Sequence, residues 1–116
     1  MSRADPLRDA DYLRHILESI DNIQAYTAET VLTDFMADRK TQDAVIRNLE
    51  VIGEACNNVA KNHPDFAVQH AAVPWGFAYE MRNALAHGYF NVDLAIVWQT
   101  IQNDLPSLKA QVLLLR

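Results

Sequence analysis

The sequence predicts an all-α fold, an antiparallel bundle of about five helices in a single domain spanning residues 1–116. Three observations carry this. Apolar residues make up 50% of the chain and recur at spacings of three and four rather than two, which is the period of a helix face. Only three glycines and four prolines interrupt them, too few for the many turns of a β-rich domain. A chain of 116 residues builds one real core and does not divide comfortably into two.

The first helix is expected to start at Asp5-Pro6, a capping carboxylate followed by a proline whose missing N–H costs nothing in a first turn. Leu13, Ile16, Leu17, Ile20 and Ile23 then share one face. A short helix is predicted within "AETVLTDFMAD", and a long one from about Asp38 until "NHP" stops it at Pro64. Val45, Leu49, Ile52, Cys56 and Val59 alternate spacings of four and three along it, a bundle seam. "PDFAVQHAAV" reads as a loop. Pro74 then suits the first turn of a helix through "WGFAYEMRNALAH", closed by Gly88 in the left-handed position that ends many helices. The last helix is predicted from Asn91 or Asp93. Leu94, Trp98, Ile101, Leu105, Leu108, Val112 and Leu115 keep one seam through Pro106, so that proline predicts a kink rather than an end.

Composition excludes several function classes. "MSRADPLRDADY" lacks the apolar run of a secretory signal, and no stretch approaches the length of a membrane span, so a soluble cytoplasmic protein is expected. Cys56 is the only cysteine, which rules out an internal disulfide and a zinc site built on cysteine pairs; packing is its expected role. A formal charge of −5 argues against gripping nucleic acid with the whole surface, because such binding is driven by phosphate neutralisation. Any RNA contact must be local.

Two constellations stand above this background. In the long helix Asp43, Arg47, Glu50 and Glu54 are spaced four, three and four apart, a polar stripe beside the apolar seam. The spacing fits a solvated face with a weak Arg47–Glu50 pair. It also fits a contact surface, since Gly53 and Ala55 flank Glu54 with little bulk and allow another helix, and an arginine, to approach. The second constellation is "RNALAHGY", residues 82–89. Arg82 and His87 are separated by about 140° on a regular helix, so a continuous helix does not aim both at one point. If the chain leaves the helix at His87, the imidazole turns back towards Arg82, where the helix dipole favours its protonated form. His87 and Tyr89 are two apart and project to one side of an extended segment. An arginine beside a proton-carrying histidine is the minimum chemistry for breaking RNA through its own 2′-hydroxyl without a metal. Taken residue by residue, His87 capping a helix and Arg82 lying on the surface is the more common arrangement, since isolated Arg and His residues occur in any domain; both accounts stand until the surrounding segments are read.

Those segments resemble the HepT toxins of the HEPN superfamily, from about Leu7 to Leu115. "RNLEVIGEACNNV" at 47–59 is similar to the family's long-helix signature, and "VPW" at 73–75, "MRNALAHGYF" at 81–90 and "VDLAIVWQTI" at 92–101 follow in the family's order. The pattern of arginine, four residues, histidine, any residue and tyrosine is complete as Arg82, His87 and Tyr89. The resemblance implies a homodimeric, metal-independent ribonuclease without cofactors, the toxin of a toxin–antitoxin pair. Arg82 and His87 of both subunits would line an interface cleft that takes RNA. Arg47, Glu50, Glu54 and Asn83 would act as supporting or interface residues. It further implies a cognate MntA-like nucleotidyltransferase antitoxin that transfers AMP to Tyr89. The alternative is a non-catalytic HEPN module that partners or scaffolds a nucleotidyltransferase, although a scaffold has no need of both Arg82 and His87. His15, His63 and His70 have no ligand-spaced partners, and Trp75 and Trp98 read as core or interface anchors.

Overall fold

A computed structural model describes residues 8–76, 80–81 and 93–116. Every described regular element is helical: α1 (Asp9–Tyr26), α2 (Leu32–Ala37), α3 (Arg39–Asn62), α4 (Pro64–Gln69), α5 (Leu94–Gln99) and α6 (Leu105–Leu113), with a five-residue π turn, Thr100–Asp104, joining the last two. Helix is also present at 75–76 and 80–81. Among the described residues no helix is long and apolar enough to cross a membrane.

The α1 seam is buried as its spacing predicts, with Ile16, Ile20 and Ile23 fully removed from solvent. Its start differs from expectation. Asp5 and Pro6 lie outside the described residues, and Arg8 is extended, so the helix begins at Asp9. Arg8 N–H donates to Asp11 Oδ2 at 3.0 Å. That backbone bond, ahead of the nearby Arg14, holds the Asp11 carboxyl below its ordinary range. At the other end Thr27 turns back on Ile23, its N–H and hydroxyl both donating to the Ile23 carbonyl at 3.0 and 2.8 Å.

The turn that follows stores strain. Glu29, exposed, sits at φ 59°, the left-handed region that crowds a Cβ. That conformation costs a non-glycine residue about 1–2 kcal/mol, while glycine loses roughly 0.5–1 kcal/mol of extra backbone entropy on folding. Glu29→Gly is therefore expected to stabilise the chain by about 0.5–1 kcal/mol, raising the melting temperature by a few degrees in a calorimetric scan. An unchanged or lowered melting temperature would contradict this account of the turn.

α2 buries Phe35 and leaves Leu32 and Met36 exposed. It is tied to α3 by Gln42, a buried polar side chain whose Nε2 donates to the Phe35 and Met36 carbonyls at 2.8 and 3.1 Å. This satisfies acceptors that the end of α2 leaves open. α3 starts where expected, with Asp38 as its cap. Thr41 Oγ1 donates to its Oδ2 at 2.6 Å and Thr41 N–H to its Oδ1 at 3.1 Å, and these bonds, the hydroxyl first, lower its pKa.

α3 is the axis of the domain and packs most extensively against α1. Val45, Leu49, Ile52, Cys56 and Val59 are all buried. Cys56 is a packing residue, as expected: loss of hydration pushes its thiol up to about 12, so no reactive thiolate forms. The segment after Pro64 corrects the sequence reading. It opens with α4 rather than a loop, Pro64 sitting in the first turn. Six residues that bury only Ala67 give no apolar period to read.

The last helix keeps its seam through Pro106, as predicted. Ile101, Leu105, Leu108 and Val112 are buried, and Leu94, Trp98 and Leu115 pack against them in part. Val97 and Thr100 join the buried face. The irregularity at Pro106 is a π turn: Leu105 N–H donates to the Thr100 carbonyl, five residues back, just before the proline that has no N–H to offer. Lys109 Nζ, 2.9 Å from Asp21 Oδ1 and 3.3 Å from Gln24 Oε1, ties α6 to α1.

Candidate functional site

Two parts of the chain bear on function, the outer face of α3 and the support beneath the segment that carries the motif. On α3, Asp43, Arg47 and Glu54 are exposed and Glu50 half-buried, so the polar stripe read from the sequence is one outward face. Arg47 Nη1 lies 3.9 Å from Glu50 Oε1, the pair that the spacing predicts, and Arg39 Nε lies 3.6 Å from Asp43 Oδ1. Both distances are long and both pairs solvated, so they contribute little to stability. Gly53 and Ala55 are buried within the single chain. The close approach their size permits is thus used inside the subunit and does not leave a bare patch for a partner.

Arg82, Asn83, His87 and Tyr89, together with the Gly88 exit and Asn91, lie outside the described residues. What leads up to them and follows them is described. Trp75 is buried, and its Nε1–H donates to the Ala67 and His70 carbonyls, both at 3.2 Å. Phe66 packs between the rings of His70 and Trp75, with centroids 4.5 and 6.4 Å away. Gln111 Nε2 reaches from α6 to the Ala72 carbonyl at 2.8 Å. These three contacts fix residues 66–75 from both sides, and Met81 packs against the core one position before Arg82. On the far side Asp93 caps α5, accepting from the Ala95 and Ile96 N–H groups at 3.0 and 3.3 Å. The sequence reading missed the roles of Gln42 and Gln111. A polar residue close to an apolar seam was the available signal, but each amide's carbonyl partner is set by tertiary structure.

The remaining histidines stay structural. His15 and His63 stand edge-on to the Tyr12 ring, at 6.3 and 6.1 Å. No group of three metal-ligating side chains occurs among the described residues. Trp75 is a core anchor, as expected, and Trp98 packs on Phe35 at 5.3 Å.

Comparison with known proteins extends this picture. The family model described as Ribonuclease HepT-like matches residues 16–115. The chain is 46% identical over 101 residues to a protein of Thermococcus cleftensis named "Probable ribonuclease HepT", covering 87% of this chain and 89% of that one. It is 42% identical over 102 residues to a Methanocaldococcus jannaschii protein named as a gamma-glutamylcyclotransferase and candidate RNase; this covers 88% of the chain but 45% of that longer relative. A candidate RNase of Caldanaerobacter subterraneus subsp. tengcongensis is 38% identical over 101 residues, covering 87% of this chain and 88% of the relative. No solved structure matches the chain. With residues 16–115 matched, a range that spans the long helix and the segment carrying Arg82, His87 and Tyr89, the chain belongs to the Ribonuclease HepT-like family of the HEPN superfamily.

Proposed function

We propose that this protein is a metal-independent endoribonuclease acting in the cytoplasm as the toxin of a toxin–antitoxin pair. Arg82 and His87 of two subunits would form its catalytic cleft. The observation that carries the reading is the complete pattern Arg82, His87, Tyr89 in a chain that belongs to a ribonuclease family over residues 16–115.

The chemistry follows from the two side chains. A 2′-hydroxyl of the RNA attacks the adjacent phosphorus, and the bond to the 5′-oxygen of the next nucleotide breaks. The products are a 2′,3′-cyclic phosphate and a free 5′-hydroxyl. A neutral His87 takes the proton from the attacking hydroxyl, or a protonated one gives a proton to the leaving oxygen. With one His87 from each subunit in the cleft, both roles are filled at once. The Arg82 guanidinium binds the non-bridging oxygens and stabilises the charge that builds on them in the phosphorane. Charge stabilisation thus comes from arginine, and the mechanism needs no metal. Two copies of each residue in one cleft also give an acidic chain a local positive potential for RNA.

Purified protein, free of any nucleotidyltransferase, is expected to cleave single-stranded RNA in the presence of EDTA and to leave cyclic phosphate ends. Intact RNA under those conditions would favour the scaffold alternative, and cleavage abolished by EDTA would overturn metal independence.

A further inference from the structure

Half of the large apolar side chains left exposed among the described residues lie between positions 26 and 36. Tyr26 ends α1, Val31 precedes α2, and Leu32 and Met36 stand on α2, with 45, 58, 41 and 48% of their surface open to solvent. Leu32 and Met36 are four apart, so they share one side of α2, while Phe35 is fully buried and packs on Trp98. Gln42 anchors the last carbonyls of this helix. α2 is therefore held with its apolar side outward.

Charge marks the same place. No lysine or arginine occurs from residue 15 to residue 38, against five carboxylates, Glu18, Asp21, Glu29, Asp34 and Asp38. The first two are met by neighbouring cations, Glu18 by Arg14 and Asp21 by Lys109. Glu29 and Asp34 are exposed and lie between Tyr26 and Met36 in the chain, and the exposed Asp38 follows.

We propose that the end of α1, the turn after it and the outer side of α2 form a docking surface for a partner protein, which presents an amphipathic helix whose apolar stripe is bordered by lysine or arginine. The stripe covers Leu32 and Met36, with Tyr26 and Val31 at its edges, and the cations meet Glu29, Asp34 and Asp38. Apolar burial then supplies affinity, and the charges supply orientation and encounter rate. Glu29 fits this role. It is held at φ 59°, a conformation that glycine adopts without strain, and a glycine there would lack the carboxylate. The inference does not depend on the nuclease reading.

Other occupants fit less well. RNA and an anionic bilayer are repelled by a face without cations. A second copy related by a two-fold brings the same face, and with it the same three carboxylates. The nearest cations that follow in the chain, Arg39 and Lys40, lie beyond Asp38 on α3, where Arg39 Nε is 3.6 Å from Asp43 Oδ1.

The probe is a fluorescent synthetic helix of about eighteen residues, with leucines along one stripe and lysines beside it, titrated against the full chain and read by anisotropy. Two control peptides keep its length: one scrambles the stripe, the other replaces lysine with glutamate. Wild type is expected to bind the probe at least about tenfold more tightly than either control. Leu32→Ser combined with Met36→Ser is expected to weaken that binding about tenfold, and Glu29→Gly to weaken it about threefold. Because Glu29→Gly is also expected to raise the melting temperature, its loss of binding is not a loss of fold. Glu29→Asp, which restores a carboxylate to the turn, is expected to recover part of the affinity, and Asp65→Asn, the same change of charge on α4, to bind as wild type does. Equal binding of the probe and its scrambled control, or of wild type and the double serine variant, would overturn the docking surface. The natural occupant is then read in cells with a benzophenone-bearing residue in place of Val31 and sequencing of the peptides joined to it. Basic amphipathic peptides support the proposal; peptides of this chain, peptides without cations, or RNA overturn it.

Discussion

Arg82→Ala and His87→Ala are each expected to reduce RNA cleavage by on the order of a hundredfold or more and to abolish toxicity in cells, with the fold unchanged. The two losses have different origins. In the proposed mechanism, removing the imidazole takes away the group that moves a proton, while removing the arginine takes away charge stabilisation of the phosphorane and the anchor of the scissile phosphate in the ground state. Arg82→Lys keeps the charge but not the planar fork that grips two phosphate oxygens, so it is expected to recover activity only in part. Single-turnover cleavage of a defined RNA, with helicity and melting temperature measured alongside, checks both. Near wild-type cleavage by either alanine variant would remove that residue from the mechanism. In a shared cleft a mixed dimer of Arg82→Ala and His87→Ala retains one of the two copies of each group, so it is expected to regain part of the activity that each parent, lacking both copies of one group, has lost; activity above the sum of the two parents reports that sharing.

The seams were the most legible part of the fold. Leu13, Ile16, Leu17, Ile20 and Ile23 on α1, and Val45 through Val59 on α3, repeat a helical period over several turns, and every one of them is buried. Short elements were not legible. α4 spans six residues and buries one apolar side chain, so nothing in "PDFAVQ" repeats, and only Pro64 hinted at a helix start. The start of α1 was misread because Asp-Pro is a common capping sequence, whereas the chain uses the reciprocal bond between Arg8 and Asp11. Periodicity carried the last seam past Pro106 but gave no means of distinguishing a bend from the π turn that absorbs the missing N–H. Side-chain-to-backbone ties such as Gln111 to Ala72, 39 residues apart, depend on the finished packing.

The site shows the same division. The stripe on α3 was readable because i, i+4 spacing alone decides which residues share a face, and its exposure follows from the seam on the opposite side. Gly53 and Ala55 were not, since small residues permit close approach without saying whether the neighbour belongs to the same chain. Arg82, Asn83, His87 and Tyr89 lie outside the described residues. Their assignment rests on their pattern and on the family, while Trp75, Gln111, Met81 and the Asp93 cap show how firmly the chain is held on either side of them.

Co-expression with a cognate nucleotidyltransferase and ATP is expected to add one or more AMP masses to the chain at Tyr89, with loss of ribonuclease activity. In that transfer the phenolic oxygen would attack the α-phosphorus of ATP, pyrophosphate would leave and the phenolic proton would pass to solvent, so that the chain would gain a phosphodiester-linked adenosine. In the proposed cleft, an AMP group on Tyr89 would block cleavage in two ways. Its phosphate occupies the guanidinium that the RNA phosphate needs, and its negative charge repels the incoming backbone. The nucleoside adds bulk where a substrate base must pass. Tyr89→Phe keeps the ring and removes the acceptor oxygen, so it is expected to gain no mass at this position and to remain an active nuclease in the presence of the transferase. Intact-mass analysis, with peptide mapping to locate the adduct, decides the matter. No added mass, or the same added mass on Tyr89→Phe, would show that Tyr89 is not the modified residue. An adduct on Tyr89 with cleavage undiminished would show that modification there does not silence the enzyme.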